Sequence, residues 1–457
     1  MNHILKILTI ACLFAVPTLA PGAAGAITRA TPHVAGGANL LLITLDTTRV
    51  DHLGCYGYAL PTSPVIDSVA GRGVRFTRAL TQIPLTGPAH ATMMTGLHPH
   101  EHGAVRNGVP LPPEARTLAE RLSDAGYRTG AFLSGWTLRA GLSGLDQGFD
   151  LYDDSMQDRY HLVNTQRFAH QVTPPARTWM KRHAGERFFL WVHYFDPHAP
   201  YVRRPELFDA LGPDTMEATR SIAPRTLKYD SEIRHMDDQI GSLLATLRAL
   251  GLERDTLVVI VADHGEALGE HGYVGHGRFL YEEIVRIPLI AAWPGRITGG
   301  ITVDAPVGLI DLAPTILSLL DLPLPAFTSG IDLSHLLTGD RDEPPGGLDD
   351  RRVYFETYPG ARKRFWRIFS PRVTRTPILI GYRQGTLKYV YDTRRKTAFL
   401  HDLAGEGEDV NLIGRQAELN PMGDDLLRWV DATARSSTYD MADREDLERL
   451  RSLGYIH

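Results

Sequence analysis

Three uninterrupted apolar runs, each stopping at an aspartate, constrain what this chain can fold into. They are Asn39–Leu45 (NLLLITL) before Asp46, Phe188–Phe195 (FFLWVHYF) before Asp196, and Thr256–Ala262 (TLVVIVA) before Asp263. A strand that is apolar at every position is buried on both faces, as strands are in a parallel sheet covered by helices. Helical stretches lie between and after the runs. One falls at Ser63–Arg72, and one at Thr117–Ala125, where Leu118, Leu122 and Ala125 share a face and Gly126 is the stop. Tyr229–Leu250 sets Ile233, Met236, Ile240, Leu243, Leu244 and Leu247 on one side and closes at Gly251. Strands at Thr129–Leu133 and Ile287–Ala292 and a helix at Leu309–Leu320 continue the alternation. The predicted class is α/β, a mostly parallel sheet flanked by helices.

A Gly-, Pro- and acid-rich stretch at 339–350 separates a large domain, predicted over 36–338, from a C-terminal part over 351–457. There Arg352–Glu356, Pro377–Tyr382 and Leu387–Tyr391 are short strands and Leu426–Ala434 a helix, predicting a small α+β subdomain with an antiparallel sheet. At the other end, residues 1–26 carry Lys6, an apolar run from Ile7 to Val16 and the small residues Ala24-Gly25-Ala26. That is the layout of a secretory signal peptide, so the mature chain is expected to be exported, periplasmic or secreted. Cleavage removes Cys12 and leaves Cys55 alone, which forbids an internal disulfide. Nothing beyond the leader approaches the roughly 18–20 apolar residues of a membrane span. A net charge of −5 over 457 residues gives no basic footprint for nucleic acid. No internal repeat is present, and oligomeric state is not written in the sequence.

In open α/β sheets ligands bind beyond the carboxyl ends of the strands. One aspartate there is ordinarily a turn former or a cap. Together Asp46, Asp263 and the adjacent His264 offer two carboxylates and an imidazole, a reasonable shell for a divalent metal. The segment Leu85–Gly96 (LTGPAHATMMTG) adds a hydroxyl. Pro88 is predicted as the first residue of a helix, placing Thr86 at a helix N-terminus, where free amides favour an anion. A metal beside Thr86 would lower the pKa of a hydroxyl that is otherwise a poor nucleophile. The stretch His98–Gly103 is expected to be a polar loop, and Cys55 a small buried residue.

These segments resemble those of the sulfatases in the alkaline phosphatase superfamily. Asp46-x-x-Arg49-x-Asp51 with Leu53–Gly57 is similar to the first metal-binding segment of that family. Thr86-x-Pro88-x-His90 through Thr95-Gly96 is similar to the signature C/S-x-P-S-R-x-x-x-x-T-G, and Asp263-His264-Gly265-Glu266 with Glu270-His271-Gly272 to the second metal segment. Tyr281-Glu282-Glu283, Asp311–Thr315 and His401–Leu403 with Asn411-Leu412 are further landmarks, so the resemblance runs from Asn39 to Leu412. It implies an alkaline phosphatase-like sheet and an exported, metal-dependent hydrolase of sulfate- or phosphate-type esters, with small-molecule or glycan esters as substrates.

The departures from the family pattern all move together. Thr86 stands where the family has the Cys or Ser that becomes formylglycine, and threonine cannot give that aldehyde. His90 replaces the supporting arginine, Thr47 a paired aspartate, His264 an asparagine and His276 the sulfate-binding lysine. The set Asp46, Thr86, Asp263, His264 instead resembles one metal site of superfamily phosphodiesterases and phosphoethanolamine transferases, in which threonine is the nucleophile. Zinc or manganese is then favoured, with calcium or magnesium the other choices. On this reading His90, His198 and His276 contact the transferring anion or protonate the leaving group. Alternatively, Asp196, His198 and His276 hold a second metal. A phosphodiesterase, phosphonate hydrolase or phospho-transferase without sulfatase activity, and a non-catalytic binding protein on the same fold, are the competing functions.

Overall fold

The computed structural model describes residues 37–413 apart from 157, 161–162, 212–215, 218, 340–347, 349 and 360–375, together with 423, 425, 426, 428 and 429. The leader expected at 1–26, most of the linker expected at 339–350 and most of the helix expected at Leu426–Ala434 lie outside the described residues.

The main sheet has eight strands: β1 (Asn39–Leu45), β2 (Val74–Leu80), β3 (Arg128–Leu133), β4 (Leu151–Asp153), β5 (Phe188–Tyr194), β6 (Thr256–Ala262), β7 (Leu289–Ala292) and β8 (Ile301–Gly308). Their order is β8-β2-β7-β6-β1-β5-β3-β4. Every pairing is parallel except those of β7, which runs against both its neighbours. The chain between β6 and β7 carries only a four-residue α-helix, Glu282–Val285, too short to cross over the sheet, and the next strand returns antiparallel. The three runs that end in aspartate are β6, β1 and β5, adjacent at the centre and buried at every position. Their register pairs Leu45 with both Tyr194 and Ala262, so Asp46 and Asp263 leave the sheet side by side.

The helices α1 (Pro64–Arg72), α2 (Thr86–Thr95), α3 (Pro99–His102), α4 (Leu118–Asp124), α5 (Ala169–Arg182), α6 (Pro224–Ala249) and α7 (Leu312–Leu319) supply the flanking layers. The cap of α4 is reciprocal: Thr117 Oγ1 accepts from the Glu120 amide, and Glu120 returns the bond to the Thr117 amide. All ten residues of α2 are buried. It starts two residues earlier than predicted, so Pro88 is its third residue and Thr86 its first.

The stretch His98–Gly103 is not a polar loop. Pro99–His102 is a turn of helix, Glu101 bonds the His98 amide, and His98 and His102 are buried. Its polar side chains are matched in pairs, His102 with Thr92 and His100 with Glu356. Beyond the linker, β9 (Val353–Thr357), β10 (Leu379–Gln384), β11 (Leu387–Asp392) and β12 (Thr397–Asp402) form an antiparallel sheet in sequence order, one strand more than expected. Bonds from the Glu356 amide to Gln82 O and from Thr357 Oγ1 to Gly277 O fasten β9 to the larger unit.

Candidate active site

Asp46, Asp263 and His264 converge just beyond the carboxyl ends of β1 and β6, and one ligating atom from each lies within 4.8 Å of the others. The three residues are fully buried. Asp46 Oδ1, Asp263 Oδ2 and His264 Nε2 have no hydrogen-bond partner. Buried polar atoms left unmatched cost about 1–3 kcal/mol each, so three on one point mark a place for a cation. The orientation of His264 agrees: its Nδ1–H donates to Gly265 O at 3.0 Å, which leaves the Nε2 lone pair facing the carboxylates. Asp263 Oδ1 is held by the amides of His264 and Thr47. Burial pushes both carboxyl groups well up from the usual range, and for Asp263 the charge of Asp46 beside it acts in the same direction. The donor set of two carboxylates, an imidazole and a hydroxyl suits zinc or manganese.

Thr86 completes the set. Its Oγ1 donates to Asp46 Oδ2 at 3.5 Å. The start of α2 is a poorer anion site than expected, since the Gly87 amide is taken by Asn107, Pro88 has none and the Ala89 amide bonds Leu85 O. Charge on a bound anion must therefore be met by side chains.

His198 and His276 are placed to do this. Each ring is pinned by its Nδ1–H, His198 to Ala199 O and His276 to Pro84 O, and their Nε2 atoms face each other at 3.3 Å. His276 also stacks on His264, with centroids 4.3 Å apart. Two lone pairs so close repel unless a proton lies between them, and one shared proton gives the pair a single positive charge. Burial, with the neighbouring imidazole adding to it, pulls His198 down to about 3; burial also lowers His276. An incoming anion supplies the charge that would let the pair keep its proton.

His90 lies deeper, against Trp191 and His193, and its Nδ1–H donates to Thr86 O at 2.8 Å. It supports the backbone of Thr86, while its Nε2 is buried without a partner. Asp196 does not join His198 and His276 in a second metal site. Both its oxygens accept from the Ala169 amide at the start of α5, so the carboxylate caps that helix. Cys55 is half-buried and free, and burial raises its thiol.

One contributor was missed from the sequence. His193 sits within β5, its Nδ1 2.9 Å from Thr44 Oγ1 and its Nε2 3.4 Å from Asp46 Oδ2. The Trp191 indole already donates to that hydroxyl, so Thr44 donates to Nδ1 and the ring proton sits on Nε2, which is buried without a hydrogen-bond partner beside Asp46. Burial pulls His193 to about 3, so it is a neutral orienting group. The parallel register places Thr44 beside His193. A histidine inside an otherwise apolar run, next to a threonine at the matching level, was the available signal.

The strand-end carboxylates, the imidazole and the hydroxyl on a buried helix start sit on a mixed sheet flanked by helices, an alkaline phosphatase-like fold. The chain belongs to the sulfatase family: the Sulfatase family model matches residues 38–322, and the N-sulphoglucosamine sulphohydrolase C-terminal model matches 269–416. It is similar to the ulvan-active sulfatase of Formosa agariphila, 28% identical over 333 residues, a match spanning 65% of each chain and so just under two thirds of that relative. Human arylsulfatase A is 28% identical over 450 residues, spanning 85% of this chain and 86% of that protein. Among solved structures, a protein in complex with its substrate D-glucosamine-2-N,6-O-disulfate has a TM-score of 0.69 at 19% identity, covering 87% of this chain and 98% of its own. The phosphonate monoester hydrolase of Silicibacter pomeroyi has a TM-score of 0.67 at 22% identity, covering 89% and 97%.

Proposed function

We propose that this protein is an exported, metal-dependent hydrolase of sulfate- or phosphate-type esters with Thr86 as nucleophile. The observation that carries this reading is the Thr86 hydroxyl, 3.5 Å from Asp46 Oδ2 beside three buried, unmatched ligand atoms of Asp46, Asp263 and His264. A divalent ion held by those residues with Thr86 would lower the hydroxyl's pKa and neutralise oxygen charge on the ester. Thr86 Oγ1 attacks sulfur or phosphorus as its proton passes to Asp46 Oδ2. The bond to the leaving oxygen breaks, and that oxygen takes the proton shared by His198 and His276. Water then cleaves the threonyl ester: one of its protons restores the histidine pair, its hydroxyl leaves on the sulfate or phosphate, and the proton held by Asp46 returns to Thr86 Oγ1. His90 holds the Thr86 backbone in place, and His193 lies beside Asp46 as a neutral imidazole. The leader at 1–26 supports export.

Threonine in the nucleophile position, with histidines at 264 and 276, favours phosphodiester or phosphonate esters as the second reading, and the likeness in fold to phosphonate monoester hydrolases supports it. Sulfated glycans are the substrate class favoured by the family and by the named substrates of its relatives. The test is a panel of aryl sulfates, phosphate mono- and diesters and phosphonates, with zinc, manganese and calcium in turn. Wild type should turn over at least one of them, and Thr86→Ala should lose about 10³-fold or more. Intact mass after trapping with a slow substrate should show an ester adduct in wild type only; an equal adduct in Thr86→Ala would exclude Thr86.

A further inference from the structure

A second group of ligating side chains lies apart from Thr86, where the larger unit meets the antiparallel sheet. His271 is in the turn Glu270–Gly272, Glu283 in the short helix Glu282–Val285, and Glu408 in the loop after β12. One ligating atom of each lies within 4.8 Å of the other two. His271 Nε2 and Glu283 Oε1 are 3.8 Å apart, too far for a hydrogen bond and suitable for two ligands of one ion. The Glu283 side chain is only 9% exposed, and its Oε1, aimed at the group, is buried with no hydrogen-bond partner.

The neighbours leave that carboxylate uncompensated. Lys388 pairs with Glu282 and Glu408, Arg383 pairs with Glu282, and Arg49 spends its bonds on Asp51 and Glu270. Glu408 Oε2 accepts from the Glu282 amide, which fixes the carboxylate's direction. His271 stacks on Tyr281 with centroids 4.0 Å apart, and its Nδ1 faces Asp409 Oδ1 at 3.7 Å.

We propose that His271, Glu283 and Glu408 bind a divalent cation of the zinc–manganese class, distinct from the Thr86 site, joining the larger unit to the antiparallel sheet. One imidazole and two carboxylates favour these ions over calcium. The competing arrangement is a protonated His271 that simply bridges Glu283 and Asp409, which takes up no metal.

The experiment strips the full chain with a chelator and reloads it with Zn²⁺, and separately with Mn²⁺. Metal equivalents are then counted by elemental analysis, and the metal-induced rise in Tm is recorded. Wild type should hold two equivalents, Glu283→Gln and His271→Ala one, Asp263→Asn one, and the Asp263→Asn/Glu283→Gln double variant none. The Tm rise that survives in Asp263→Asn should vanish in the double variant. Full wild-type stoichiometry in Glu283→Gln and His271→Ala, or no metal at all in Asp263→Asn, overturns the proposal. Loss of all metal in Glu283→Gln with none lost in Asp263→Asn would support this site and refute the metal reading of the Thr86 site.

Discussion

At the residue scale, the Asp46–Asp263 pair sets function against stability. Both carboxyl groups titrate above their unfolded values, Asp46 through burial and Asp263 through burial and the charge of Asp46. For an acid whose folded pKa is raised, stability is lost as pH rises from the unfolded value, near 3.9, through the folded one. At neutral pH the metal-free protein therefore carries a destabilising pair that a cation would relieve. Asp263→Asn is expected to raise the Tm of the metal-free protein by a few degrees while abolishing metal binding at Thr86. Calorimetry at pH 7.5 in chelator checks the first, and zinc titration the second. A fall in Tm would show that the backbone bonds accepted by Asp263 Oδ1 outweigh the repulsion.

At the element scale, the sequence disclosed the parts governed by periodicity and hid those governed by contact. Runs such as Thr256–Ala262 declare a doubly buried strand because no polar residue interrupts them, and the strand matches the run. Asp46, Asp263, His264 and Thr86 followed from strand ends and a family pattern, and they converge. The reversed direction of β7 was not legible, because Leu289–Ala292 reads the same either way. The burial of His98–Gly103 was hidden too, since partners such as Glu356 lie more than 250 residues away. Gly265 shows how one element fixes another. A Cβ there would sit 2.1 Å from Glu283 O, while the Gly265 amide bonds Ile284 O at 2.8 Å. Gly265→Ala should destabilise the protein by about 1–3 kcal/mol through overpacking and displace His264, weakening metal binding at least tenfold. Urea unfolding and metal titration measure the two effects. Gly71→Ala, at a helical position with nothing within 4 Å, is the control and should stabilise by about 0.5–1 kcal/mol.

At the scale of the whole molecule, buried acids and buried histidines pull the pH dependence of stability in opposite directions. Burial raises Asp237 to about 7, Glu266 to about 8 and Glu232 to about 9, each above its unfolded value. Such groups favour the folded state at low pH, and their contribution fades as pH rises from the unfolded value, near 4, up to the folded pKa. Burial lowers His102, His193 and His198 to about 3, below the unfolded value near 6.5. There the folded state is favoured at high pH, and stability is lost as pH falls from about 6.5 towards 3, by about 2 kcal/mol per histidine at pH 5. The metal-free protein should thus be most stable in the mildly acidic range, losing stability above pH 7 as the acids ionise and below about pH 4.5 as the histidines charge. Glu232 isolates the alkaline limb, since its carboxyl group is buried and lies outside both proposed metal sites. Between pH 6.5 and 8.5 it should account for about 2–3 kcal/mol of the loss. Glu232→Gln should remove that much of the slope in urea unfolding and leave the acid limb unchanged; an undiminished alkaline slope would show that Glu232 does not titrate there.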